Sequence, residues 1–157
     1  MKTGTLSPRT RTVRSPLWVL VAAFILLVTM HNAVTPVFEA PDEVWHYNYV
    51  RWLAEGHRLP SMDNDDSGAN QEVAQPPLYY LLAAVVSRPF PDDDLHDLFW
   101  GNPGFGYQAT GTAADNKNML IHTARESWPW TGAVAAVHAA RLTSLFFGLW
   151  TLLAAWG

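Results

Sequence analysis

The chain has 157 residues, 49% of them hydrophobic, with a formal net charge of −4 and no cysteine. Its mean hydropathy of −0.01 averages two apolar end segments with a polar, acidic middle, a segregation that favours a membrane protein carrying an extramembrane loop over a single soluble core. The lack of cysteine removes disulfides and thiolate metal sites, and the acidic loop argues against nucleic acid as a partner.

Residues 1–15 contain Pro8 and scattered Arg without an apolar period and read as a cytoplasmic basic tail. Residues 17–30 (LWVLVAAFILLVTM) form an apolar run broken only by Thr29. Extended to 16–37 it reaches the length of about 20 residues that spans a bilayer. A cleaved signal peptide is the rival, but no small-x-small cleavage site follows, because Phe38 and Ala40 precede Pro41. Lys2, Arg9, Arg11 and Arg14 precede this run, and every Asp and Glu, from Glu39 to Glu126, lies between the two apolar segments. The basic flank predicts a cytoplasmic amino terminus and an extracytoplasmic loop over 38–130.

Pro36 and Pro41 bracket a short turn, after which Asp42 is placed to N-cap a helix over 42–55 that stops at Gly56. Trp45, Tyr49 and Trp52 or Leu53 recur on it at helical spacing. That stripe suits the headgroup layer, or equally a face packed on the protein itself. Residues 61–72 read as a mobile acidic loop. Asp63, Asp65, Ser67 and Gly68 imitate the start of a calcium loop, but its twelfth position is Ala74 where a bidentate Glu is needed.

Pro76 and Pro77 open a second helix over 76–88 that is apolar on all faces yet too short to span, so it is expected to be re-entrant, interfacial or buried against other helices. Residues 89–130 are rich in turn formers. Gly101, Gly104 and Gly106 fit no phosphate-loop spacing, and Asn116, Lys117, Asn118 and His122 form a polar cluster suited either to a ligand or to tying down its own loop. Residues 131–157 are again apolar and predict a second transmembrane helix. His138 and Arg141 share one face of it, and at that depth the arginine needs a polar cavity or a partner carboxylate, unless it snorkels to the surface.

The order A-P-D-E-x-x-H-Y (40–47), L-A-E-G-H-R-L-P (53–60), Q-P-P-L-Y-Y (75–80), N-K-N (116–118) and H-x-x-R-L-x-S (138–144) resembles the amino-terminal part of the GT-C class of integral membrane glycosyltransferases. The likeness is to the dolichyl-phosphate-mannose protein mannosyltransferase and aminoarabinose transferase branch. The resemblance implies a mainly α, multi-pass protein of the plasma (inner) membrane. Such an enzyme moves a sugar from a polyprenyl-phosphate donor to an acceptor hydroxyl at the outer face. On it, Asp42 would be the general base and Glu43 its helper, and Arg141, with Lys117 or His138, would neutralise the leaving phosphate. Tyr79, Tyr80 and His46 join these as substrate-binding residues. No cofactor is required by the motifs; some members of the class use a divalent metal.

Because the apolar segment runs to Gly157, the expectation is a fragment or split subunit, inactive without the remainder of the enzyme. From another class comes a two-helix membrane protein whose loop only binds a ligand or partner. A third reading gathers His46, His57 and His122 with the acidic runs into a metal site, without a spacing that selects a metal.

Overall fold

The structure, a computed structural model, describes residues 15–63, 66–105 and 117–157. Residues 1–14 of the expected tail, Asp65, Gly106 and Asn116 lie outside them, and Ser15 already belongs to the first helix. The described residues form four α-helices and no strand, with an isolated antiparallel bridge between Gly101 and Leu120. They are α1 (Ser15–Val34), α2 (Glu43–Ala54), α3 (Leu78–Ser87) and α4 (Gly132–Trp156), with single 3-10 turns at Asn70–Ala74, Leu95–Leu98 and Ala124–Glu126.

Two helices, α1 and α4, are long and apolar enough to cross a membrane. They differ in how the protein uses them. Only 6% of the apolar window of α1 is buried against 50% of that of α4, and Trp18, Leu20, Leu27 and Met30 stand exposed along α1. In α4 the first half, from Ala133 to Ala140, is buried, while Phe146, Trp150 and Trp156 in the second half face outward. A continuous exposed apolar surface of this kind suits hydrocarbon rather than water. The Phe24 ring fills the place that a side chain at Gly148 would need, so the glycine lets α1 approach α4 closely.

The core lies at one end of the pair. There α2 and α3 pack on the buried half of α4, closed by Val37, Phe38, Leu95, Leu98 and Leu120. Alanines at 83, 84, 133, 136 and 140 line this cluster and allow short interaxial distances. The short apolar helix α3 buries one face against other helices of the same chain, through Tyr80, Ala83, Ala84 and Ser87, while Leu78, Leu81, Val85 and Val86 stay exposed. Tyr49 of α2 is also buried, with its ring stacked on Tyr80 at a centroid distance of 4.0 Å. The aromatic stripe of α2 thus turns Tyr49 onto the protein.

Helix starts depart from the local capping rule. Asp42 occupies the N-cap of α2, but with a left-handed backbone (φ 58°) and no side-chain capping bond. Thr131 likewise gives α4 no side-chain cap. The distant Asp94 does so instead, with Oδ1 accepting from the Ala133 N–H at 2.8 Å. Gly132 makes that possible. Its φ is +58°, and a Cβ there would lie 2.6 Å from Asp94 Oδ1. Gly132→Ala combines the left-handed penalty with a displaced cap, a loss of roughly 2–3 kcal/mol. The expected outcome is a clearly lower thermal midpoint in detergent, and an unchanged midpoint would show that Asp94 does not hold this helix start.

Candidate functional site

The site is built on the turn between α1 and α2. Phe38 (φ 67°) and Asp42 (φ 58°) both take left-handed backbone there, which non-glycine residues adopt only when their surroundings enforce it. Glu43 supplies the enforcement. Its Oε2 accepts from the Phe38 N–H at 2.7 Å and from Arg141 Nη2 at 2.7 Å, while Oε1 accepts from Arg141 Nε. Arg141 also donates through Nη1 to the carbonyls of Asn32 (3.2 Å) and Thr35 (2.7 Å), and through Nη2 to that of Pro36 (2.9 Å). All five guanidinium N–H groups are engaged. The carbonyls lie at and just beyond the carboxy-terminal end of α1, where a cation offsets the unsatisfied acceptors. Of the fates open to Arg141, the structure has the partner carboxylate.

Two cavities flank this turn. The larger, of about 830 Å³, is lined by Glu43, His46, Tyr79, Tyr80 and Arg141 among the sequence-predicted residues, together with His31, Gln75 and Ser144. Its apolar walls include Val28, Leu78 and Phe147, from α1, α3 and α4. The second, of about 510 Å³, is lined by Asp42 and Glu43 with an aromatic wall of Phe38, Trp45, Phe99 and Phe105. Asp42 and Arg141 thus face different cavities, and Glu43 borders both. Asp42 is exposed, and its carboxylate has no partner among the described residues.

Lys117 and His138 line neither cavity. Lys117 is exposed. His138 is buried, with its ring stacked on Trp130 at 3.7 Å, its Nδ1 2.9 Å from Asn32 Oδ1, and its carbonyl accepting from Asn32 Nδ2. It joins α1 to α4 and does not meet the cavity.

His122 was grouped with the 116–118 cluster in the sequence, yet it sits between two carboxylates. Its Nε2 lies 2.9 Å from Glu39 Oε1 and its Nδ1 2.8 Å from Glu126 Oε2. Glu39 also accepts from the N–H groups of Met119 and Leu120, both at 2.9 Å, and Glu126 accepts from the Val37 N–H. The cluster therefore pins its loop to the turn. The i, i+4 spacing of His122 and Glu126 was legible in advance; Glu39, 83 positions away, was not. Nor did the sequence point to Glu72, which is buried beside His46, with Oε2 3.3 Å from its Nδ1.

His57 stacks on Trp52 at 4.0 Å. The three histidines of the metal reading therefore stand in separate surroundings. Among the described residues no group of three or more His, Asp or Glu side chains is placed to hold a metal ion. Comparison with known proteins adds no relative: no family model, no curated protein and no solved structure matches the chain.

Burial raises the Tyr47 and Tyr49 hydroxyls above their ordinary value of 10.0, with Asp92 adding to the shift at Tyr47. Burial and then the Glu72 charge push Tyr80 up to about 12. A phenol raised in the folded state keeps its proton while the unfolded chain loses it, so this contribution to stability is complete below pH 10 and disappears towards pH 12. Tyr80→Phe is expected to flatten the alkaline fall in stability over that window and to remove one tyrosine's share of the tyrosinate absorbance near pH 12.

The ion pair makes a second prediction. Removing one partner of a buried pair costs about 3–5 kcal/mol, because the other charge stays behind. Glu43→Ala and Arg141→Met should each lower the thermal midpoint sharply, and the double variant should lose much less than their sum. Additive losses in that cycle would mean that the two side chains are not coupled.

Proposed function

We propose that the chain is the amino-terminal part of a polytopic inverting glycosyltransferase of the GT-C kind, drawing its sugar from a polyprenyl-phosphate carrier. In this reading the amino terminus is cytoplasmic and residues 38–130 lie at the outer face of the plasma (inner) membrane. The motif order supports it, and so does the presence of two helices long and apolar enough to cross a bilayer.

One observation carries the chemistry. Of the two adjacent carboxylates, Glu43 is held by Arg141 and the Phe38 N–H, whereas Asp42 is exposed at an aromatic cavity and unpaired among the described residues. A general base needs an unblocked carboxylate that can come within hydrogen-bond reach of its proton. Asp42 takes the proton of the acceptor hydroxyl. The acceptor oxygen bonds to the anomeric carbon from the face opposite the carrier, and the carbon–oxygen bond to the phosphate breaks with its electron pair leaving on phosphate. Glu43 is the positioning residue that fixes the turn, and the aromatic wall offers apolar faces to a sugar ring or an apolar acceptor.

The test is transfer in native membranes supplied with polyprenyl-phosphate-linked mannose or aminoarabinose, with Asp42→Asn introduced into the full-length protein. The expected loss is about 10²–10⁴-fold at equal abundance in the membrane. Unchanged transfer in the variant, or no transfer by the wild type from either donor, removes the assignment.

A further inference from the structure

The larger cavity contains a cation that is not available to a ligand. Arg141 borders it, yet each of its N–H groups already meets Glu43 or a carbonyl at the end of α1. Glu43 is neutralised by the same contact. The Tyr79 and Ser144 hydroxyls lie 3.1 Å from one another, and His31 Nδ1 lies 3.4 Å from Thr35 Oγ1.

His46 is different. Its Nδ1 is 2.8 Å from Tyr80 Oη in hydrogen-bond geometry, and Glu72 Oε2 lies 3.3 Å from the same nitrogen. Glu72 is only 4% exposed, and its Oε2 is buried without a hydrogen-bond partner. A desolvated carboxylate oxygen left in that state is costly unless a positive charge stands beside it. Doubly protonated, the imidazole would place that charge beside Glu72, with Nδ1 facing Tyr80 and Glu72; in that form, as in the neutral Nε2–H tautomer, Nε2–H is the remaining donor. Nε2 has no partner among the described residues, and the side chain, 41% exposed, lines the cavity.

We infer that His46, backed by Glu72, is the group that binds an anionic phosphate headgroup in this cavity, in place of Arg141. Charge-assisted donation from Nε2–H meets a phosphate oxygen. The apolar walls from Val28, Leu78 and Phe147 accept the first carbons of an attached chain. The ligand is named on the transferase reading, but the arrangement of His46 and Glu72 stands apart from it.

The experiment measures binding of farnesyl phosphate, farnesol and inorganic phosphate to the full-length chain in nanodiscs, for the wild type, His46→Gln and Glu72→Gln. The wild type should bind farnesyl phosphate at least about tenfold more tightly than farnesol, and His46→Gln should erase that ratio. Glu72→Gln keeps the shape of the buried side chain and should reduce the ratio several-fold. A merely structural role would weaken both ligands alike and leave the ratio unchanged. Competition by inorganic phosphate would show that the free ion suffices, and its failure would show that the headgroup must be lipid-borne; both support the site. Equal affinity of the wild type for farnesyl phosphate and farnesol, or a ratio that both variants preserve, overturns it. Binding that depends on His46 alongside transfer indifferent to Asp42→Asn would sink the transferase reading and leave the anion site. The reverse pattern would sink only the anion site.

Discussion

Arg141 and Glu43, 98 positions apart in the chain, form the contact on which the other parts depend. An arginine this far inside an apolar helix costs several kcal/mol if it meets lipid, and a carboxylate shielded from water is equally costly without a counter-charge. Each therefore holds the other in place. Because the guanidinium also binds the carbonyls of Asn32, Thr35 and Pro36, one side chain joins the end of α1, the following turn, the start of α2 and the middle of α4. Helix α1 also packs along α4. Beyond the Arg141 tie, its links there include the pairing of Asn32 with His138 and the packing of Phe24 at Gly148.

The same contact divides the acidic pair. With Glu43 fixed to Arg141 and to the Phe38 N–H, the backbone at Asp42 is driven into the left-handed region. Two neighbouring carboxylates of similar chemistry consequently end in opposite circumstances, one enclosed beside a guanidinium, the other exposed and, among the described residues, unpaired. On the far flank, Glu39, His122 and Glu126 tie the loop before α4 to the turn, so the turn is gripped from both sides. A site at such a junction is more rigid than the loop that carries it, which suits precise placement of a reacting group.

The elements themselves were largely legible from local signals. Long apolar runs mark α1 and α4, the Pro76–Pro77 pair precedes α3, and Gly56 (φ +88°) follows α2, because proline, glycine and hydrophobic length act on the backbone within a few residues. Partnerships were less so. The 76–88 run showed its apolarity but not its receiving surface, which α2 and the alanine-rich half of α4 provide. Asp42 carried the composition of a helix cap, yet its side chain makes no such bond, since the Glu43 contacts dictate its backbone. His138 shared a motif with Arg141, and Lys117 was assigned the same role, yet neither lines the cavity that Arg141 borders, because position along a loop or helix does not fix the direction a side chain faces.

By itself the sequence determined the helical elements, the segregation of charge and the presence of chemistry-bearing residues beside the first apolar segment. These depend on spacing and composition over a short stretch of backbone. Only the tertiary structure decided that Glu43 pairs with Arg141 while Asp42 stays exposed, that Glu72 stands behind His46, and that Asp94 rather than Thr131 caps α4. Each of these joins residues far apart in the chain, and the desolvation of a charge, which selects its partner, arises only once packing has excluded water.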